Sequence, residues 1–198
     1  QPIKRPRPLP QPPSATCARS PLDALLMQAM PKGLTFAPDA DRLTLIKRVY
    51  FDLIGLPPTE QELAATLNDK RSDWYEKLID QLLESPHYGE RWGRHWLDVA
   101  GYADSEGYTT KDEIRPWAWK YRDYVIASLN KDKPFDRFVT EQLAGDELAG
   151  PRTGDLTAEQ TEFLTATGFL RMAADGTGSG ANNPDGRNKV MTDTIKIV

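Results

Sequence analysis

This sequence predicts an all-α fold: an irregular multi-helix bundle of about eight helices with an extended Pro-rich N-terminal arm. Three observations carry that prediction. Apolar residues recur at three- and four-residue spacing through most of the chain after Pro21. Helix-start signatures stand ahead of several of these runs, notably Ser85-Pro86, Thr59 with Glu62, and Thr157 with Gln160. Paired alternating runs that would mark strands are missing, as is any internal repeat.

Residues 1–20, QPIKRPRPLPQPPSATCARS, contain six prolines and little to bury, so polyproline geometry without a core of its own is expected. Pro21 to Met30 reads as a short helix with Leu22, Leu25, Leu26 and Met30 on one side, stopped by Gly33. Asp39 or Asp41 opens a stronger helix carrying Leu43, Ile46, Val49, Leu53 and Ile54, ended by Gly55-Leu56-Pro57-Pro58. The capping box at Thr59 and Glu62 predicts a helix to Leu67. Ser72 is the expected cap of the next, with Trp74, Leu78, Ile79 and Leu82 as its stripe.

The stretch from Ser85 to Asn130 organises the rest. It holds both histidines, four of the five tryptophans and five of the seven tyrosines. Ser85 as N-cap and Pro86 at the first helical position start a helix. At 100° per residue Tyr88, Trp92, His95, Trp96 and Val99 form its expected buried stripe. An acidic loop follows Gly101, and helical spacing resumes from Arg115 to Leu129 with Trp119, Tyr121 and Val125.

Beyond it, Lys133-Pro134 begins a helix with Phe135, Phe138, Val139 and Leu143, for which Gly145 is the expected C-terminal stop. Thr157 and Gln160 precede another, with Phe163, Leu164, Phe169 and Leu170. Arg171 to Asn188 reads as a long Gly- and Asn-rich loop, and Val190 to Val198 as a last helix or, on propensity, a β segment. The domain reading is therefore an arm over 1–20, a helical domain over 21–170, and a loop with a C-terminal segment over 171–198.

Charge separates arm from body. Lys4, Arg5, Arg7 and Arg19 give residues 1–20 a charge of +4, so a net charge of −4 leaves −8 on the remainder. An acidic body argues against a nucleic-acid duplex as partner, because phosphate neutralisation needs a basic face. No run approaches the roughly 18 apolar residues of a membrane span. Cys17, the one cysteine, excludes an internal disulfide and any multi-Cys metal or haem site made by these residues alone. The chain opens at Gln1 with neither an initiator Met nor an apolar leader, as a processed mature chain or a fragment would.

The candidate sites are few. His87 and His95 lie about 80° apart on a helical wheel with a rise of about 12 Å, and Glu90 is read as facing away, so a shared cation is disfavoured. The bland account makes His95 a core histidine and pairs His87 or Arg91 with a carboxylate. Asp104, Glu106 and Asp112, with Glu113, surround Gly107 and are weak candidates for a hard cation, but their spacing is not that of an EF-hand. The run GTGSG at Gly176 to Gly180 lacks the strand and helix that a phosphate loop needs. No Gly-x-Ser-x-Gly elbow is present, so no catalytic residues are assigned. Trp117 and Trp119, flanked by Arg115, Tyr121, Arg122 and Asp123, are the candidate contact platform for a partner or a sugar ring. Two residues apart, they should face different ways, one towards the core and one outward.

The segments LIKRVYFDLIGLPPT (Leu45 to Thr59), LLESPHYGERWGRHWLDVAGYADSEGY (Leu82 to Tyr108), WKYRDYVIASLNKDKPFDRFVTEQLAGDEL (Trp119 to Leu148) and ATGFL (Ala166 to Leu170) carry a resemblance. Together they resemble the planctomycete cytochrome c-associated domain of unknown function, the PSCyt-type module of exported bacterial proteins. The likeness covers nearly everything from Pro21 onward. It implies an extracytoplasmic, periplasmic setting beside cytochrome modules. In many relatives a segment similar to RNKVMTDTIKIV leads into a Cys-x-x-Cys-His haem attachment site, which these residues lack, so haem binding is not carried over and no cofactor is expected.

The expected function is a non-catalytic, haem-free accessory subunit of a membrane-associated electron-transfer complex, respiratory or photosynthetic. Its partners would be protein subunits of that complex and a soluble cytochrome drawn by complementary charge. The arm, through Lys4, Arg5 and Arg7, would lie on a neighbouring subunit, with Trp117 and Trp119 as further contacts. The alternative is an N-terminal module of a larger exported enzyme or c-type cytochrome that binds or acts on polysaccharide.

Overall fold

The computed structural model describes residues 19–107, 112–151, 154–174 and 184–197. Lys4, Arg5, Arg7, Cys17 and the GTGSG run lie outside the described residues. Those described are helical, with no strand among them beyond one isolated bridge between Ser105 and Ile114. Two compact units divide between Asp41 and Arg42.

The first unit contains α1 (Pro21–Ala29). Its start is a capping box that the sequence reading passed over: Ser20 Oγ accepts from the Asp23 amide at 3.2 Å, and Asp23 Oδ2 accepts from the Ser20 amide at 2.9 Å. The Arg19 amide also donates to that carboxylate, and these bonds hold Asp23 below the usual carboxylate range. Leu22, Leu25 and Leu26, expected on one side of this helix, are exposed. Arg19 pairs with Asp39.

The second unit holds α2 (Arg42–Leu53), α3 (Glu60–Asn68), α4 (Trp74–Leu83), α5 (Pro86–Ala100), α6 (Ala118–Asn130), α7 (Phe135–Leu148), α8 (Ala158–Ala166), a 3₁₀ helix (Thr167–Arg171) and α9 (Pro184–Ile197). It has two cores. The smaller joins Ile46, Val49 and Tyr50 of α2 to Leu78 and Leu82 of α4. The Arg42 guanidinium fastens α3 to it: it donates to the carbonyls of Thr66 and Asp69, both at 2.6 Å, at the C-terminal end of that helix. The same group lies 4.0 Å from the centre of the Trp74 ring. The capping boxes at Thr59 and Thr157 form as expected. At α4 the cap is Asp73 rather than Ser72, without a side-chain hydrogen bond.

The larger core gathers Tyr121, Tyr124 and Val125 of α6, Phe138 of α7, Ala166 of α8, and Phe169 and Met172 from the 3₁₀ segment. α5 enters this core on a face that differs from the expected one. Gly89, Gly93 and Ala100 are buried, with Trp96 half-buried, whereas Trp92, His95 and Val99 face outward. The reason is close approach to α6. A Cβ on Gly89 would sit 2.5 Å from the Ile126 carbonyl oxygen, and one on Gly93 3.3 Å from the Ile126 side chain. At Gly89 glycine is required because the α6 backbone comes so near, and at Gly93 a side chain would crowd that of Ile126; hydrophobic periodicity registers neither contact. Gly101, at φ +70°, then ends α5 in the left-handed cap conformation.

α7 also departs from expectation. Gly145 is not its stop, since the helix continues to Leu148 through a kink at Ala144. Gly145 is buried against α8, where a Cβ would come 2.1 Å from the Phe163 carbonyl oxygen. α7 buries Glu141 and Gln142 completely beside Phe138. Val190 onward is helical rather than β, and that helix begins at Pro184, inside the stretch read as loop. The Thr194 hydroxyl donates to the Leu170 carbonyl at 3.3 Å, tying α9 to the 3₁₀ turn.

Candidate functional site

The acidic loop after α5 folds back on itself. The Arg115 amide donates to the Asp104 carbonyl at 2.8 Å and the Glu106 amide to the Glu113 carbonyl at 2.9 Å, on either side of the Ser105–Ile114 bridge. This short antiparallel pairing carries the chain from α5 to Trp117, where α6 begins. The Arg115 guanidinium donates to the Ala173 carbonyl at 2.7 Å, joining the loop to the segment after the 3₁₀ helix.

Between these parts lies a cavity of about 550 Å³, within the range typical of small-molecule sites. Ile114, Pro116 and Trp117 form one wall, Leu156, Leu164 and Gly168 another, with Met172 and Tyr121 at the base. The charged residues lining it are Glu106, Arg115, Lys120 and Arg171. Of these Glu106 is 9% exposed. Lys120 and Arg171 are exposed.

The base is rigid for a reason visible behind it. Tyr121 is buried, and its hydroxyl donates to Gln142 Oε1 at 2.6 Å, while Trp96 Nε1 donates to both, at 3.0 Å each. Gln142 Nε2 in turn donates to the Phe138 carbonyl at 3.0 Å. Burial pushes the Tyr121 phenol well above its ordinary range, so it remains a neutral donor. A Cβ on Gly168 would approach Tyr121 Cβ to 2.9 Å, so this glycine allows the 3₁₀ turn to lie on the ring.

The two candidate tryptophans are both exposed, Trp117 by 66% and Trp119 by 44%. The expected division into one inward and one outward residue does not occur, because Trp117 precedes the helix rather than sharing its wheel. Lys120 Nζ lies 4.8 Å from the Trp117 ring centre and 5.8 Å from that of Trp119, a cation held between two indoles. Thr161 and Thr165 also line the cavity, but each hydroxyl donates to its own helix, to the carbonyls of Thr157 and Thr161.

The weak cation candidates are separated by their own hydrogen bonds. Asp104 accepts from the Tyr102 hydroxyl at 2.6 Å, Asp112 accepts from the Gly107 amide at 2.9 Å, and Glu106 is turned into the cavity lining. Burial first, then the Asp104 bond, pushes the Tyr102 phenol up to about 12. Among the described residues no three His, Cys, Asp or Glu side chains are placed to hold a metal ion. His95 is exposed against the Trp92 ring rather than buried, and His87 Nδ1 meets Glu90 Oε2 at 2.7 Å, so Glu90 does not face away. No helix among the described residues is long and apolar enough to cross a membrane.

Sequence reasoning missed Glu106, Arg115 and Arg171 as a group, and Leu156, Leu164 and Met172 as an apolar wall. Nothing in local spacing links positions so far apart. A second unforeseen cluster lies to one side: Lys133, nearly buried, pairs with the buried Glu141 and with Glu162, the latter at 2.9 Å. Arg137 reaches Glu141 at 2.7 Å and the Tyr124 hydroxyl donates to it at 2.9 Å. This network binds α6, α7 and α8 together.

No curated protein and no solved structure matches the chain. One family model does, PSCyt2, described as a protein of unknown function (DUF1549), over residues 21–198. That span is nearly the whole sequence and agrees with the likeness carried by the four quoted segments. The chain belongs to the PSCyt2 family.

Proposed function

We propose that this chain is a non-catalytic, haem-free accessory domain of an extracytoplasmic electron-transfer assembly. It docks on a protein partner through the surface formed by Trp117, Trp119 and Lys120, with the basic residues Lys4, Arg5 and Arg7 as a second contact. The observation that carries this reading is the exposure of two neighbouring indoles around one ammonium group. Tryptophan and cationic side chains in such an arrangement contribute little to the fold while exposed. They become favourable when a partner removes them from water, which is why these residue types dominate interface hot spots. The threonine hydroxyls lining the neighbouring cavity, those of Thr161 and Thr165, are engaged with their own helix. The resemblance to a cytochrome c-associated module supports this type of assembly. An acidic body beside a basic leader suits charge-complementary contact with a soluble cytochrome.

The test is affinity purification of the tagged full chain from its native cells, with haem staining and a visible spectrum of the eluate. Haem proteins are expected to co-elute and to be lost from Trp117→Ala/Trp119→Ala and from a chain lacking residues 1–20. Elution free of haem protein from wild type, together with glycan-array binding that Trp119→Ala abolishes, would replace this reading with the polysaccharide-binding one.

A further inference from the structure

We infer that the outer face of α5 is a self-association surface, on which a second copy of this chain packs its own α5 antiparallel. The surface is separate from that of Trp117, Trp119 and Lys120, and the inference does not depend on the assembly proposed above. It begins from the turned face of α5. Because Gly89, Gly93 and Ala100 meet the body, the most apolar stripe of the helix faces solvent: Trp92 is 40% exposed, Val99 76%, and His95 is exposed with them. Its rings form a ladder, Tyr88 to Trp92 at 6.1 Å and Trp92 to His95 at 5.4 Å between centres. Phe135, also exposed, widens the patch, its ring 6.1 Å from that of Trp96. Exposed apolar area of this continuity marks an interaction site.

Spacing and charge together select a second copy as the occupant. Tyr88, Trp92, His95 and Val99 follow one another at four, three and four residues, the seam of a short coiled coil. Run antiparallel to itself, this seam sets Tyr88 of each copy opposite Val99 of the other, and Trp92 opposite His95. Each large ring then meets a smaller side chain. Arg91 and Asp98, the residues just before Trp92 and Val99, share one flank of the seam. In an antiparallel pair that flank faces itself with its direction reversed, which brings Arg91 of each copy to Asp98 of the other, twice about the two-fold axis. A parallel pair would instead turn it towards the flank of Gly89 and Trp96, which carries no charge. Within the chain neither group is well met. Arg91 Nε is buried without a hydrogen-bond acceptor among the described residues, and Asp98 lies 3.9 Å from Arg94 in an exposed pair. A seam of two heptads is short, so the dimer is expected to be weak, with a Kd on the order of 10 µM.

The experiment is sedimentation velocity on the full chain from about 1 to 500 µM, a range that brackets this Kd. A monomer–dimer equilibrium is expected. Val99→Glu sets a carboxylate in the seam and should weaken dimerisation by about tenfold or more, with the thermal midpoint unchanged as a check on folding. Arg91→Glu and Asp98→Lys should each weaken it by about tenfold, since each sets like charges against one another. Mixed in equal amounts, these two variants should dimerise again, because every flank contact of the mixed pair joins opposite charges. That recovery also shows both variants to be folded. Trp117→Ala/Trp119→Ala should dimerise as the wild type does. A chain that stays monomeric throughout, a dimer that Val99→Glu leaves intact, a mixture that stays monomeric, or a dimer lost on replacing Trp117 and Trp119 would overturn the inference. Loss of haem-protein co-elution in the purification above, with the dimer intact, would leave it standing.

Discussion

The Gly89 amide donates to Asn130 Oδ1 at 2.7 Å, while Asn130 Nδ2 donates to the Pro86 carbonyl at 3.1 Å, so the last residue of α6 caps the first turn of α5. The contact exists only because Gly89 has no Cβ: an added one would lie 2.6 Å from Asn130 Oδ1 and 2.5 Å from the Ile126 carbonyl oxygen. Gly89→Ala is expected to destabilise by about 1–3 kcal/mol despite the better helix propensity of alanine, because it overpacks two backbones. Asn130→Ala should lose about 1–2 kcal/mol through the unmet amide. Urea unfolding followed by circular dichroism measures both, and an alanine at position 89 that stabilises would refute the close approach.

Lys133 and Glu141 are a second point of vulnerability. Their side chains are 9% and 1% exposed. Glu141→Ala leaves the ammonium without its most buried partner and is expected to lower stability by about 3–5 kcal/mol. The pair replaced together by Met and Leu should be far milder, because no buried charge is left. A double-mutant cycle in urea gives the coupling directly.

The same network predicts an acid limb. Burial alone would raise the Glu141 carboxyl, but bonds from Lys133, Arg137 and Tyr124 more than offset this, and Lys133 likewise holds Glu162 down. A carboxyl whose folded-state pKa is lowered contributes stability that is fully present above its unfolded value, about 4.3, and is lost as pH falls through the lowered one. Unfolding free energy should therefore be flat near neutrality and drop below about pH 4. Lys133→Met should flatten that drop, and thermal midpoints across a pH series are the measurement.

Gln142 supports the floor of the cavity rather than its walls. Gln142→Leu deprives the Tyr121 hydroxyl and the Trp96 indole of their shared acceptor and should cost about 1–3 kcal/mol. Near-ultraviolet circular dichroism and tryptophan emission are expected to change with it, since Trp96 loses its fixed orientation. Unaltered spectra would mean that the floor is held by packing alone.

Trp117→Ala, by contrast, should shift stability by no more than about 0.5 kcal/mol, because the ring is 66% exposed. A thermal melt of the variant checks this. A large loss would assign Trp117 to the fold instead of to a contact surface.

Much of the helix pattern was legible because its signals are local. The capping boxes at Thr59 and Thr157 and the Ser85-Pro86 start join residues one to three positions apart, so spacing alone reveals them. The same reading turned the face of α5 the wrong way. It ranked positions by apolarity and placed Trp92, His95 and Val99 inside, whereas the helix packs on Gly89 and Gly93, where the absence of a side chain is what matters. Gly145 was misread for a related cause: a glycine near the end of an apolar run looks like a stop unless the backbone it touches is known.

Trp117 and Trp119 could be named as contact residues from their type and density, but the cavity beside them could not. Its charges and walls come from positions 106 to 172, united by links such as that between Arg115 and Ala173, which are 58 residues apart. Amino-acid order alone set where helices begin, the helical class, the family and the separation of a basic leader from an acidic body, since each of these depends on neighbours or on sums. Which faces meet, which glutamate is buried and where a hollow opens depended on residues brought together by chain packing. Contacts of that kind have no local spacing by which to be read in advance.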